Sequence, residues 1–292
     1  MKELNFDRSR DYLICVDSDG CLLDNMELKH KECFCPATVN VWNLQAVSKY
    51  ARQAAEHVNL YSRTRGYNRF PAIIRTLDLV YGRKEVREAG LREPDLGSLK
   101  AWMETTPSLS TTALDEYCRA TGTRDPILLT ARDWAKEVDA NIAHIVRNIR
   151  PFPAVKEALR ALGRFANIVV VSATPNEALV RELTACGIME LVDCVAGQET
   201  GTKTDSIRMA MRDRYAPDRV LKIGDAVSDL HAAQANGVLF YPIVPGSENE
   251  SWKNVTGRIA EAFREGRYAG GMMDGCVEAF LSALPEKPPW ED

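Results

Sequence analysis

The run Asn167–Val171 reads NIVVV. Four β-branched residues in a row leave no polar face, so the strand they predict is covered on both sides. In a soluble chain that means the interior of a parallel sheet, and parallel neighbours need crossover connections, usually helical. The chain supplies both. Tyr12–Val16, Val192–Val195, Arg219–Ile223 (RVLKI) and Leu239–Val244 (LFYPIV) are further strand-like runs. Helical patterns separate the later ones. Pro153–Leu162 has Pro in its first turn and Gly163 past its end. Thr174-Pro-Asn-Glu177 reads as a capping box opening a helix that stops at Cys186 and Gly187. Ser206–Arg212 and Asp229–Ala235 follow. This alternation predicts an α/β fold, a Rossmann-like parallel sheet core with helices on both faces.

Residues 24–149 read differently. Val39, Trp42, Ala46, Tyr50, Ala54, Val58 and Tyr61 recur at steps of three or four, which predicts one long amphipathic helix. Trp134, Val138, Ile142 and Ile145 repeat the pattern. Leu91–Pro107 reads as a loop with a short helix. Trp42 and Trp134 belong in a helical core, and His57, His144 and His231 are structural or surface residues. The expected organisation is an α/β core of residues 1–23 and 150–292, interrupted by an inserted all-helical cap, 24–149, with Pro151-Phe-Pro153 as the return hinge. The final PEKPPWED is expected to be a frayed tail.

Composition excludes several classes. The 292 residues carry 37 Lys+Arg against 41 Asp+Glu, a net charge of −4. A domain devoted to nucleic acid usually has a basic excess, so nucleic acid is not an expected partner. No run approaches the roughly 18 apolar residues of a transmembrane helix, so no membrane partner is expected. The charged N-terminus reads as the approach to a strand, not as a secretory signal. The cytoplasm is the expected compartment, with the eight cysteines reduced. Cys33 and Cys35 lack the second Cys/His pair of a metal site.

Four short stretches carry chemistry, each at the carboxyl end of a predicted strand, where open α/β sheets bind ligands. They are Asp17-Ser18-Asp19-Gly20, Ser172-Ala173-Thr174, Lys203 within Gly201-Thr-Lys-Thr, and Gly224-Asp225-Ala-Val-Ser-Asp229. Singly, each has a plain structural reading: a turn, a cap, a solvated lysine, a charge at a helix N-terminus. Together and in this order they resemble the haloacid dehalogenase-like hydrolase superfamily, in its phosphatase branch. The insert after the first strand resembles the helical cap of phosphoglycolate phosphatases and β-phosphoglucomutases.

The resemblance implies a Mg²⁺-dependent phosphoric monoester hydrolase acting through an aspartyl-phosphate. Asp17 would be the nucleophile and Asp19 the acid and base. Ser172, Ala173 and Lys203 would hold the phosphoryl oxygens. Asp17, the Asp19 carbonyl and Asp225 would ligate the metal, with Asp229 acting through water or behind the ligands. The dehalogenases and phosphonate hydrolases of the superfamily lack the second aspartate, so Asp19 argues against both. The expected substrate is a small phosphorylated metabolite, such as a sugar phosphate or phosphoglycolate. A phosphomutase of the β-phosphoglucomutase kind is the alternative reading, and a non-catalytic binding protein on the same fold is a third. Monomer and homodimer both stay open.

Within the insert, Arg63, Arg65, Asn68 and Arg69 alternate with aromatics, and arginine pairs well with carboxylate or phosphate. These four are the candidate specificity residues. Asp24, Asn25, Glu27 and His30, where the chain enters the insert, are candidates for touching substrate.

Overall fold

The computed structural model describes residues 4–291, and among them five strands form one parallel sheet. The strands are β1 (Tyr12–Val16), β2 (Ala166–Val171), β3 (Cys194–Ala196), β4 (Val220–Gly224) and β5 (Leu239–Pro242). Their order is β3-β2-β1-β4-β5. In register, Ile14 of β1 lies between Ile168 of β2 and Leu221 of β4.

The period of two along each strand divides the core into two layers. Ile14, Val16, Ile168, Val170, Leu221 and Ile223 pack on one face against the helices Val155–Leu162 and Asn176–Ala185. Leu13, Cys15, Val169, Val171 and Val220 pack on the other against Lys203–Met211, Val227–Ala235 and Gly271–Ala283. The fold is therefore α/β with helices on both faces. The sheet grows outward from β1 to β3 on one side and from β4 to β5 on the other. The chain thus reverses direction across the sheet beside β1, and the carboxyl ends of β1 and β4 form the crevice where such folds bind ligands.

The chain divides into two compact units. One comprises the residues up to Met26 together with Asn148–Pro285; the other comprises Glu27–Arg147 together with the residues from Glu286 onward. At the edge of the first, the chain leaving β1 meets the chain returning to β2, with the Asp24 amide donating to the Arg150 carbonyl at 3.0 Å and the Phe152 amide to Leu22 at 3.1 Å.

The second unit is helical. Its main elements are Cys35–Val41, Ser48–Asn59, Arg69–Tyr81, Gly97–Thr105, Thr111–Thr121 and Pro126–Ile145. The buried rings of Phe70, Trp102 and Trp134 meet edge to face at its centre. Trp134 Nε1 donates to Thr38 Oγ1 at 3.0 Å.

The long helix expected from Val39 to Tyr61 is two helices. The chain turns at Asn43, whose φ is 54°, a left-handed conformation that Asn tolerates. Both helices face the same core, so the apolar spacing runs through the turn without revealing it. The tail expected to be frayed is packed at Trp290. Trp290 lies 3.9 Å below the Arg83 guanidinium and edge-on to His57. No described helix is long and apolar enough to cross a membrane.

Candidate active site

Past the end of β1, the Asp17 amide donates to the Ile223 carbonyl of β4 at 2.9 Å. This bond extends the ladder one residue and holds Asp17 next to the end of β4. The chain then folds back on itself: the amides of Leu22 and Leu23 both donate to the Ser18 carbonyl at 2.9 Å. Gly20 makes the reversal with φ of 71°, where a side chain would be strained. Trp252, fully buried, donates from Nε1 to the Cys21 carbonyl at 2.8 Å and braces the loop from behind.

Asp17 is buried. Its Oδ1 accepts from the Ser18 amide at 2.8 Å, and its Oδ2 accepts from Lys203 Nζ at 2.7 Å. Lys203 opens the helix Lys203–Met211, behind a Thr202/Asp205 capping box. The same ammonium reaches Asp229 Oδ1 at 2.8 Å. Asp225 and Asp229 follow β4, and one carboxylate oxygen from each of Asp17, Asp225 and Asp229 lies within 4.8 Å of the others. Gly224 permits this approach, since a Cβ there would run into the Asp229 side chain. From the end of β2, Ser172 Oγ lies 2.7 Å from Ser18 Oγ and accepts from the Thr174 amide at 3.2 Å. Ala173 is exposed in the turn between them.

Asp19 sits half-buried beside this cluster. Its Oδ1 accepts from Asn25 Nδ2 at 2.5 Å and its Oδ2 from Thr174 Oγ1 at 3.2 Å. One donor on each oxygen holds the carboxyl in place. Both partners were open to other readings in the sequence. Asn25 is a support for Asp19. Thr174 does not cap the helix that follows: that helix begins at Asn176, has no side-chain cap, and its Asn176 amide donates to Glu199 instead.

One charged residue in the cluster escapes the sequence reading. Lys222 lies in the middle of β4, fully buried, with Nζ 2.9 Å from Asp229 Oδ1. A lysine at an inward position of a strand as apolar as RVLKI was the available sign. Charges at such positions are rare unless paired.

The cluster thus holds three carboxylates and two ammonium groups. Burial pushes the Asp17 carboxyl up, to about 7; the neighbouring Asp229 carboxylate adds to this, while Lys203 and Lys222 oppose it. Burial also works against the charge on Asp229, but Lys203 and Lys222 outweigh it and hold that carboxyl below its ordinary range. Lys203 is desolvated too, yet Asp17 and Asp229 keep its ammonium firmly protonated. Carboxylates outnumber ammonium groups here, and Asp17, Asp225 and Asp229 bring oxygen atoms within 4.8 Å of one another. Oxygen donors with an uncompensated negative charge suit a hard divalent cation such as Mg²⁺.

The arginine-rich stretch of the helical unit has local partners. Arg65 is buried and donates to the Leu60 carbonyl at 3.1 Å. Asn68 caps the helix Arg69–Tyr81 by accepting from the Phe70 amide, and its Nδ2 donates to the Leu109 carbonyl at 2.8 Å. Arg69 pairs with Asp139 at 2.7 Å and also donates to Thr111 and the Ala135 carbonyl. Arg63 pairs with Glu286. Glu27 accepts from Tyr61 at 2.5 Å and Lys31 at 3.0 Å. His30 stacks near the Phe34 ring.

The family model for haloacid dehalogenase-like hydrolases matches residues 84–243, more than half of the chain. Among solved structures, a haloacid dehalogenase-like family hydrolase from Streptococcus pneumoniae is 16% identical, with a TM-score of 0.44, covering 84% of this chain and 90% of that one. A predicted phosphoglycolate phosphatase from Haemophilus somnus is 18% identical, with a TM-score of 0.41 and coverage of 84% and 93%. CbbY from Rhodobacter sphaeroides in complex with phosphate is 16% identical, with a TM-score of 0.41 and coverage of 80% and 86%. No curated protein matches significantly.

Proposed function

We propose that this chain, which belongs to the haloacid dehalogenase-like hydrolase family, hydrolyses small phosphate monoesters through a phosphorylated Asp17. The observation that carries the reading is the buried contact of Asp17 with Lys203 at the carboxyl end of β1, flanked by Asp225 and Asp229. Two further carboxylates around a buried carboxylate are costly to fold. They make sense where an anionic substrate must be brought up to an anionic nucleophile.

In this reading one Asp17 oxygen attacks phosphorus while Lys203 and the Ser18 amide hold the carboxylate in place. The P–O bond to the leaving group breaks, and Asp19 gives its proton to the departing alkoxide. Asp19 then takes a proton from water as that water attacks the phosphoryl group, releasing phosphate and restoring Asp17. Asn25 and Thr174 keep the Asp19 carboxyl aimed through both halves of the cycle. Ser172 and Lys203 hold phosphoryl oxygens, Lys203 as a point charge. Asp17, Asp225 and the Asp19 carbonyl would hold Mg²⁺, which when bound offsets the repulsion between carboxylate and phosphate. The helical unit, inserted between β1 and β2, takes the part of the cap and the choice of substrate.

Phosphate release from a panel of monoesters, with and without Mg²⁺, tests the reading. Mg²⁺-dependent release is expected, with a ranking of esters that reports the substrate class. Release that ignores Mg²⁺, or none from any ester, would count against hydrolysis by this site. Isomerisation of a sugar phosphate primed by a bisphosphate would move the assignment to a mutase.

A further inference from the structure

Lys222 and Asp229 form a fully buried pair, with neither side chain exposed. Such a pair is a poor source of stability, because desolvation of both charges offsets most of their attraction. The surrounding geometry suggests another use. Asp229 Oδ1 is shared by Lys222 at 2.9 Å and Lys203 at 2.8 Å, and its Oδ2 accepts from the Ala226 amide at 3.3 Å. Both oxygens of Asp229 are thereby engaged within the protein. Lys222 Nζ also reaches the Val171 carbonyl at 3.5 Å, at the end of the strand that leads to Ser172. Its strand is locked into the sheet on both edges, with Lys222 opposite Cys15 of β1 and Phe240 of β5. Lys203, in contrast, stands at a helix start with its side chain partly open to solvent, reaching both Asp17 and Asp229.

Resting on the function proposed above, we propose that Lys222 is a positioning residue that keeps Asp229 committed to Lys203 instead of to the cation, and so aims Lys203 at the phosphoryl group. The lysine held in the strand fixes the carboxylate, and the carboxylate fixes the lysine at the helix start. Asp229 then serves as the link between two ammonium groups, and the cation is left to Asp17, Asp225 and the Asp19 carbonyl.

A double-mutant cycle on the full chain tests this, using Lys222→Met, Asp229→Asn and their combination. Binding of inorganic phosphate at saturating Mg²⁺ is measured by calorimetry, beside KM and kcat for the best ester. Lys222→Met is expected to raise the phosphate Kd and KM about tenfold at unchanged stoichiometry. A merely structural lesion would lower the stoichiometry and leave Kd alone. In the Asp229→Asn background, removing Lys222 is expected to add less than about twofold. Kd and KM unmoved by Lys222→Met, or a full additive effect in that background, would overturn the proposal. Lys222→Gln, which keeps a polar group of similar length, replaces Lys222→Met in the cycle if the latter does not fold. A wild-type chain that binds phosphate but hydrolyses no ester would remove the hydrolase reading while the cycle is still read from Kd. Failure to bind phosphate at all would overturn both.

Discussion

Both units of this chain bury polar side chains, but they do so in opposite ways. In the helical unit the buried donors that find acceptors do so one at a time, at dispersed positions. Arg65 donates to Leu60, Asn59 to Ala55, Thr76 to Ala72 and Trp134 to Thr38. These are the ordinary satisfactions of a packed interior. In the α/β unit Asp17, Asp225, Asp229 and Lys222 are gathered into one place with Lys203 at its margin. Packing alone would never assemble three carboxylates there, because each raises the cost of the next. Dispersed buried polarity builds a scaffold, whereas concentrated buried charge marks a site.

The contrast can be broken most forcefully at Asp17. Asp17→Asn removes the nucleophile but also relieves like-charge repulsion. We expect turnover to fall at least about a thousandfold while the melting temperature holds or rises. A parallel loss of structure, seen by circular dichroism, would reassign Asp17 to the scaffold. The reverse is expected of Trp134→Ala. A large ring lost from the helical core should cost about 3–5 kcal/mol in denaturant unfolding. Phosphate binding at the α/β unit should persist wherever the chain stays folded.

Metal linkage sharpens the comparison next. Mg²⁺ at a hundred times its Kd should stabilise the protein by about 2.7 kcal/mol, an effect absent from Asp225→Asn. Without metal, Asp17 contributes a pH dependence that the difference between wild type and Asp17→Asn isolates. Its carboxyl rises from 3.8 to about 7 on folding. The native state therefore holds a proton that the unfolded chain has released, and this contribution to stability falls as pH rises through that window. In thermal melts with EDTA from pH 4 to 7, the stability of the wild type relative to Asp17→Asn should fall as pH rises. The smallest effect is expected at Arg69→Ala. Its pair with Asp139 is partly exposed, so the loss should be about 1 kcal/mol or less. KM should change by the same factor for every ester, and a substrate-selective change would give Arg69 a role in recognition.

The legible parts of the molecule are those governed by local pattern. β1 spans Tyr12–Val16 as its apolar run indicates, and NIVVV lies buried in β2, next to the central strand. The polar stretches after β1, β2 and β4 are legible for the same reason, since a strand end in such a sheet opens on one crevice, whereas Lys203 reaches it from the start of a helix beyond β3. What was illegible depends on partners distant in sequence. Thr174 has the spacing of a capping box, but Asp19, 155 residues earlier, takes its hydroxyl. Asn43 turns the chain without disturbing the apolar period. Trp290 looks like part of a polar tail until Arg83 and His57 are beside it. The arginines near residue 65 carry recognition chemistry in their composition, yet their donors go to carbonyls and carboxylates of their own unit. Lys222 could have been found, since a lysine amid RVLKI demands a buried anion.

The central claim is that Asp17 is phosphorylated during turnover. Acid quenching of the Mg²⁺-loaded protein during hydrolysis of its best ester, followed by peptide mass analysis, tests this directly. The account predicts one added phosphoryl group on the peptide containing Asp17, absent from Asp17→Asn. Steady phosphate release with no adduct on that peptide, and with turnover retained by Asp17→Asn, would contradict it.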